Sequence, residues 1–435
     1  MREAAPIGNW PLITIEDVAL DVTVGHVGPM ADQYLEAGVP FLRSLSVEPF
    51  GIKTEGLKFI SPEFHRKLKK SALVPGDVVI VRTGKPGTCA VIPDWLATVN
   101  CSDLVIVRCG PRVRPHFLCY IVNSIAGHHI DSHTVGAVQQ HFNVGSARTL
   151  SFFLPPIEEQ DRILMLLRGL DSKIELNRRM NETLEAMARA LFRDWFVDFG
   201  PTRAKMSGTA SYLSDDLWSI LPDHLDADGK PEGWEVSTIG DEVRVVGGST
   251  PSTKEPDFWD GGINWATPKD LSNLAAPVLL ETSRTITEAG LAKISSGLLP
   301  VGAVLLSSRA PIGYLAIAEV PVAINQGFIG MICDKQSSNV FAWLWTLESM
   351  EAILAKANGS TFQEISKGNF RPLPVIMPDD AILKAFDALA KPIYQRISQN
   401  EKESRTLAQT RDLLLPRLMS GELRIAQART LEEVA

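Results

Sequence analysis

Trp10-Pro-Leu-Ile-Thr-Ile-Glu-Asp-Val18 returns 224 residues later as Trp234-Glu-Val-Ser-Thr-Ile-Gly-Asp-Glu-Val243. Working outward, Leu73-Val-Pro-Gly-Asp-Val-Val-Ile-Val81 is matched by Leu299-Pro-Val-Gly-Ala-Val-Leu-Leu-Ser307, and Asn100 by Asn325. Gly136-Ala-Val-Gln-Gln-His-Phe142 runs parallel to Gly359-Ser-Thr-Phe-Gln-Glu-Ile365, and Leu154-Pro-Pro-Ile157 to Met377-Pro-Asp-Asp380, both at an offset of 223. Identity is low, but a nearly constant offset held over this length is the signature of a duplicated unit. The period is too long for a solenoid or propeller repeat, so the unit is a whole domain written twice.

Each copy divides into two parts. The first, residues 1–155 and again 234–377, is punctuated by Gly and Pro around short β-branched runs. Val78-Val-Ile-Val-Arg82, the turn Thr83-Gly-Lys-Pro-Gly87 and Thr88-Cys-Ala-Val-Ile92 read as a hairpin, with Val304–Ile317 as its counterpart. Short helices are expected at Pro115–Ala126 and Val340–Lys356, which makes each part a compact α+β domain. The second part, residues 156–200 and 378–425, is a long helix. Ile163, Leu167, Leu170, Ile174, Asn177, Asn181, Leu184, Ala188, Leu191 and Trp195 alternate gaps of four and three, the a/d stripe of a heptad repeat. Ile393, Ile397, Asn400, Ser404, Leu407, Arg411 and Leu414 repeat that stripe at an offset of 223. Asn177 and Asn400 fall on matching positions, where a buried Asn tends to fix register.

Two such stripes favour the helices packing on each other, antiparallel, as a coiled-coil rod of roughly 60 Å. The expected fold is therefore α+β, with two globular domains related by a pseudo-twofold axis and separated by the paired helices. Pro201 is expected to end the first helix. Residues 201–233 are read as a turn-rich linker and 426–435 as a tail.

Bulk properties narrow the classes. The 435 residues carry 43 Lys+Arg against 51 Asp+Glu, a formal charge of −8. Residues 1–155 hold 14 basic against 13 acidic side chains and residues 234–377 hold 10 against 14, so no segment reads as a basic patch. Contacts to nucleic-acid phosphates would then need help from a partner. No apolar run is long enough for a membrane span, and Met1–Trp10 lacks the pattern of a signal peptide. The five cysteines form no CxxC pair, which together with the missing signal points to a reducing cytoplasm.

At this point the residues call up a family. Leu154-Pro-Pro-Ile-Glu-Glu-Gln160 leads into the first helix, Asn177-Arg-Arg-Met-Asn-Glu-Thr-Leu184 lies within it, and Phe192-Arg-Asp-Trp-Phe-Val-Asp-Phe-Gly200 closes it. Pro231-Glu-Gly-Trp234 opens the second domain, and Leu413-Leu-Leu-Pro-Arg-Leu-Met-Ser-Gly-Glu-Leu423 closes the second helix. In this order, and with this duplication, the chain resembles the specificity subunits of Type I restriction–modification enzymes over essentially its whole length. The resemblance implies two target-recognition domains, each reading one half of a split, asymmetric site in double-stranded DNA. It also implies helices that hold the readers apart and dock two adenine-N6 methyltransferase (modification) subunits, with a restriction/translocase subunit joining the assembly. One departure is Asp379-Asp-Ala-Ile-Leu383, where the first copy has a Glu-Glu-Gln string.

Catalytic patterns are absent from the reading. No Asn-Pro-Pro-aromatic motif or Gly-rich methyl-donor loop is present, and Gly84-Lys-Pro-Gly87 lacks the spacing of a P-loop. His129 and His133 could share a helix face as metal ligands do, but the turn-prone Asp131-Ser132 between them argues against that. The chain is expected to be a non-catalytic binding subunit without cofactor or metal. Two other readings are open: a methyltransferase or nuclease with an unrecognised site, which would be active alone, and a coiled-coil adaptor that never touches nucleic acid.

Base readout needs paired donors and acceptors, Arg or Lys for guanine and Asn or Gln for adenine, on loops that reach a groove. The first domain offers Arg82, Thr83, Lys85, Asn100, Gln139, Gln140 and His141. The second offers Lys269, Ser307, Ser308, Arg309, Asn325, Gln326 and Gln363. Arg82 and Arg309 are favoured. Asn100, Asn325 and the shared pair Gln140/Gln363 can equally serve the common fold, because two domains reading different sequences should differ where they read.

Overall fold

The β-branched run Val78–Val81 is covered on both faces, as is most of Leu104–Cys109, so each reads as a continuous apolar stretch rather than an alternating one. In the computed structural model, which describes residues 10–133, 142–359 and 363–425, these two runs lie side by side and antiparallel. They are the centre of a sheet ordered Ala19–Val24, Leu104–Cys109, Val78–Val81, Cys89–Val91. A second sheet is ordered Lys58–Ile60, Val39–Leu42, Val99–Cys101, Ala72–Leu73, its central pair parallel. The short pair Leu12–Thr14 and Ser151–Phe153 joins the beginning of the domain to its end.

The later copy repeats the core of this plan with one strand more in the first sheet and one fewer in the second. Arg244–Gly247, Phe328–Ile332, Val304–Ser308 and Ile312–Ala318 form the first sheet, with Val278–Leu279 added at its edge. Arg284–Ile286, Trp259–Ala266 and Val322–Ile324 form the second, again with one parallel pair. Glu235–Thr238 pairs with Pro374–Met377 as the closing strands. The duplication read from sequence offsets is thus a duplication of topology.

By its contacts the chain forms two compact units, one of residues up to Ser172 together with those from Leu407 onward, the other Lys173–Thr406. The division falls inside both long helices, Ile157–Phe196 and Asp380–Met419, each 40 residues long. In the first unit Ile163, Leu164 and Leu167 are buried with Leu415, Leu418 and Met419 and with the apolar face of Pro115–His133. Arg411, a charged residue on the apolar stripe, is accounted for here. Its Nη1 donates to Asp171 at 2.8 Å while its guanidinium lies 5.7 Å from the Phe50 ring centre. Tyr120, stacked near Phe50, donates its hydroxyl to the same Asp171 carboxylate.

In the second unit the stripe residues of the two helices pack antiparallel, and the Asn positions supply a polar layer. Asn400 Nδ2 donates to Asn181 Oδ1 at 2.9 Å, and Asn177 Nδ2 donates to Glu403 Oε2 at 2.8 Å. All three Asn side chains are buried. Beside them Phe192, Trp195 and Phe196 interlock with Phe341 and Phe386 in a core that fastens the helices to the globular domain. Arg189 and Arg193 add ion pairs to Glu348.

Three sequence expectations change. Pro201 does not end the first helix, which stops at Phe196. It sits in the first turn of a new helix, Gly200–Met206, where a missing N–H costs nothing because no carbonyl awaits it. The stretch read as a linker holds a further helix, Asp215–Ile220, and buries Leu221 in the second unit's core. The helix beginning at Pro115 runs to His133, through the Asp131-Ser132 pair expected to interrupt it. No described helix is long and apolar enough to cross a membrane.

Two measurements test this packing. Asn400→Ala leaves Asn181 Oδ1 buried without its donor and should cost about 1–3 kcal/mol in chemical denaturation. Burial, with the neighbouring Glu182 carboxylate, pushes Glu185 up to about 7. A raised carboxyl holds its proton longer in the folded chain, so stability falls as pH rises from the ordinary carboxyl range toward 7. Glu185→Gln should therefore raise Tm at pH 8 and leave it unchanged near pH 4; equal melting of both proteins at pH 8 would refute the assignment.

Candidate nucleic-acid interface

The hairpins that carry Arg82 and Ser308 end at the same junction in both domains. In the first, the backbone N–H of Phe142 donates to the Arg82 carbonyl at 3.1 Å. In the second, the N–H of Ile365 donates to the Ser308 carbonyl at 3.0 Å. The structural mate of Arg82 is therefore Ser308, and Thr83 corresponds to Arg309. One side of each junction is the hairpin end and the other is Phe142 or Ile365.

Around the first junction, Asp103 organises the side chains. It sits at positive φ, a backbone state an Asp tolerates at modest cost, and its carboxylate accepts from Arg82 Nη1 at 2.6 Å and from Thr83 Oγ1 at 3.2 Å. A guanidinium held on one edge by a carboxylate points its other edge in a set direction, the geometry bidentate recognition requires. Arg82 is 23% exposed and its Nε is buried without a partner. Lys85 is exposed in the turn. Gln139, Gln140 and His141 lie outside the described residues, although Phe142, which follows them, is tied to Arg82.

Asn100 stands apart from these. It is fully buried, accepting from Ser71 Oγ at 2.7 Å and donating to the Leu68 carbonyl at 3.1 Å, with His65 Nδ1 at 3.2 Å. A side chain so enclosed reaches no base edge in this conformation. Its work is to pin the turn Leu68–Ser71. That turn belongs to Arg66-Lys67-Leu68-Lys69-Lys70, a basic run missed when charge was averaged over the whole domain. The adjacent Cys101 is buried, and burial pushes its thiol up, as it does those of Cys109 and Cys333, both to about 12. These thiols stay protonated at neutral pH and make poor nucleophiles.

The second junction gathers all seven candidates of its domain. Ser308 donates its N–H to the Gly327 carbonyl at 2.8 Å, which brings the Asn325–Gly327 turn beside the hairpin. Asn325 Oδ1 accepts from Gly327 N at 2.8 Å, closing that turn. Gly327 lies so near Pro268 that an added Cβ would stand 2.9 Å from the ring, so Lys269 is carried into the same neighbourhood. Ser307 is buried, donating to the Pro311 carbonyl and accepting from Tyr314 N, each at 2.8 Å. Ser308 is buried as well and is bonded through its backbone, so both serines shape the hairpin. Arg309 faces Glu364 at 3.7 Å and is 40% exposed, while Lys269, Gln326 and Gln363 are exposed. Among the described residues no group of His, Cys, Asp and Glu is placed to hold a metal ion.

Set against known proteins, residues 231–403 match the family described as Type I restriction modification DNA specificity domain. The later copy is thus a domain of the DNA-specificity class. The chain is 27% identical over 323 residues to the Type I restriction enzyme HindI specificity subunit of Haemophilus influenzae, covering 64% of this chain and 70% of that one. It is 38% identical over 180 residues to the Type I restriction enzyme MjaIX specificity subunit of Methanocaldococcus jannaschii, 39% of this chain and 41% of that one. The crystal structure of the Type-I restriction-modification system S subunit from M. genitalium shares the fold, with a TM-score of 0.54, 14% identity and coverage of 96% and 99%. The chain is thus similar to Type I restriction–modification specificity subunits, by the family match over residues 231–403 and by relatives that extend beyond it.

Burial separates structural from surface candidates, and stability can check the division. Asn100→Ala should destabilise the fold by about 1–3 kcal/mol, because Ser71 Oγ and the Leu68 carbonyl lose a buried partner. Gln326→Ala and Gln363→Ala, both at exposed positions, should stay within about 0.5 kcal/mol of the parent. An Asn100→Ala protein as stable as the parent would refute the pinning role.

Proposed function

We propose that this chain is the non-catalytic DNA-reading subunit of a Type I restriction–modification complex. It binds a bipartite, asymmetric site in duplex DNA, with residues 1–155 and 234–377 as the two target-recognition domains. The observation that carries the reading is the repeated junction: one backbone plan, Arg82 with Phe142 and Ser308 with Ile365, dressed with different side chains in the two copies. A common scaffold with divergent tips suits two readers of different half-sites. Arg82 and Arg309 read purines from carboxylate-set positions, helped by Thr83, Lys85, Gln139, Gln140, His141, Lys269, Asn325, Gln326 and Gln363. Asn100, Ser307 and Ser308 hold those loops in place.

The long helices serve as the spacer and as the dock for two adenine-N6 methyltransferase subunits, which a restriction/translocase subunit joins. The net charge of −8 supports such an assembly, since a chain poor in cations needs partners to neutralise phosphates. The half-sites lie about one helical turn apart, so that both readers meet the same side of the duplex.

The test is to express the chain with its neighbouring methyltransferase subunit and map N6-methyladenine across the host genome. A split motif is expected, one half of which changes when either globular domain is exchanged. Arg309→Ala should relax a single base position in one half by about 1–3 kcal/mol of discrimination. A single continuous motif, or one indifferent to domain exchange, would overturn the proposal.

A further inference from the structure

The basic run Arg66-Lys67-Leu68-Lys69-Lys70 has no use in the junction chemistry above, yet its backbone is held with unusual care. Ser61 caps the short helix Pro62–Lys67 by accepting from Phe64 N at 3.0 Å. Buried Asn100 grips the turn that follows, and Arg108 Nη2 donates to the Ala72 carbonyl at 3.1 Å. The anchors leave Arg66, Lys67, Lys69 and Lys70 exposed on one short stretch. Among the described residues only Lys67 has a carboxylate partner, Glu63 at 2.8 Å. That pair is fully at the surface, where it contributes little and exchanges readily.

The equivalent stretch of the second domain is built alike and charged differently. Thr287 caps the helix Glu288–Leu291, accepting from Gly290 N at 3.2 Å, and the following turn reaches Gly297. Between Glu288 and Gly297 it carries Lys293 alone, set against the acidic Glu288, and that ammonium lies 5.7 Å from the Phe258 ring centre. The same structural element holds four cations in one copy and one in the other.

We infer that the turn Arg66–Lys70 is a phosphate-gripping platform of the first domain, and that the two domains hold the DNA backbone unequally. The inference rests on the DNA-reading function proposed above. Position favours duplex DNA as the occupant. Asn100, which pins the platform, and Asp103, which sets Arg82 and Thr83, are three residues apart, so at most about 10 Å of chain joins the two anchors. Phosphates flanking a base read at the hairpin fall within that range. Four exposed cations, none fixed in direction as Asp103 fixes Arg82, give charge without the set geometry that base discrimination needs, so the platform adds affinity and register, not sequence.

The experiment uses the chain assembled with its methyltransferase subunits and a duplex carrying the mapped motif. Affinity is measured across salt for the parent, for Arg66, Lys67, Lys69 and Lys70 all changed to Ala, and for Lys67→Arg, Lys69→Arg, Lys70→Arg. The alanine variant should flatten the dependence of log Kd on log salt by about 0.9 for each phosphate lost, a total of roughly two to four. Its affinity should fall at least tenfold at low salt, while the methylated motif and the ratio of cognate to scrambled binding stay the same. The arginine variant should keep the parent slope, and Lys293→Ala should change it by less than about one. A parent slope in the alanine variant would overturn the inference, as would a changed motif, or loss of methyltransferase assembly in place of DNA affinity. Failure of the parent complex to bind or methylate any duplex would instead sink the proposed function, which keeps the two apart.

Discussion

A 40-residue helix with one apolar stripe has nowhere of its own to bury it, and everything else in this chain follows from where that stripe goes. Each long helix covers the other's stripe, and each globular domain is fastened to the helical surface beside it. The fastenings differ in kind. In the first unit a polar knot of Tyr120, Asp171 and Arg411 under Phe50 does this work, bordered by aliphatic contacts. In the second, Trp343 stands 223 residues after Tyr120 and meets Tyr394, itself 223 after Asp171, ring against ring. The same positions in the duplicated plan join domain to helix in both copies, with charge in one and aromatic area in the other.

That substitution of chemistry on a constant frame recurs at the hairpin junctions. The backbone bond from the late loop to the hairpin end is common to both copies, whereas the side chains around it share almost nothing. Asp103 sets an arginine in the first domain, while Glu364 faces one in the second from a different strand position. A frame whose hydrogen bonds are made by the backbone tolerates exchange of its tips. The penalty for an unsatisfied buried group falls on the frame and not on the exposed residues. This separation lets one fold serve different recognition tasks without refolding.

Much of this architecture was legible in the sequence because it rests on periodicity and offset, which survive low identity. The stripe from Ile163 to Trp195, the hairpin at Val78–Ile92 and the doubled topology all came from spacing alone. What spacing could not give was burial of polar groups. Asn100 and Asn325 look like mates by offset, but strand register sets Asn100 against Ala323 and Asn325 against Ser102. The Ser102 N–H donates to the Leu42 carbonyl as that of Asn325 does to Ala266. Asn100 is enclosed and holds a neighbouring turn, while Asn325 closes its own. Pro201 was misread because proline breaks a helix interior and opens a helix start with equal ease, and only the flanking backbone decides. The pairing of Arg82 with Ser308 already follows from the offset of 226 between Leu73–Val81 and Leu299–Ser307, and the bonds from Phe142 and Ile365 agree with it.

Electrostatics ties these levels together. A chain of net charge −8 gains little from indiscriminate attraction to phosphates, and in the DNA-reading role proposed for it discrimination would reside in base contacts. Averaged over a domain the charge conceals its arrangement, because carboxylates that pair with Arg82, Arg108 and Arg148 cancel cations already held in place. The cations left without buried partners are the ones a polyanion meets. Structural ion pairs and binding cations thus enter the same sum with different consequences, and a near-neutral domain can still present a positive face. Carboxylates thus do two jobs here: they hold the frame and they set the direction of Arg82 and Arg309, while the cations without such a partner remain free to meet a polyanion's charge.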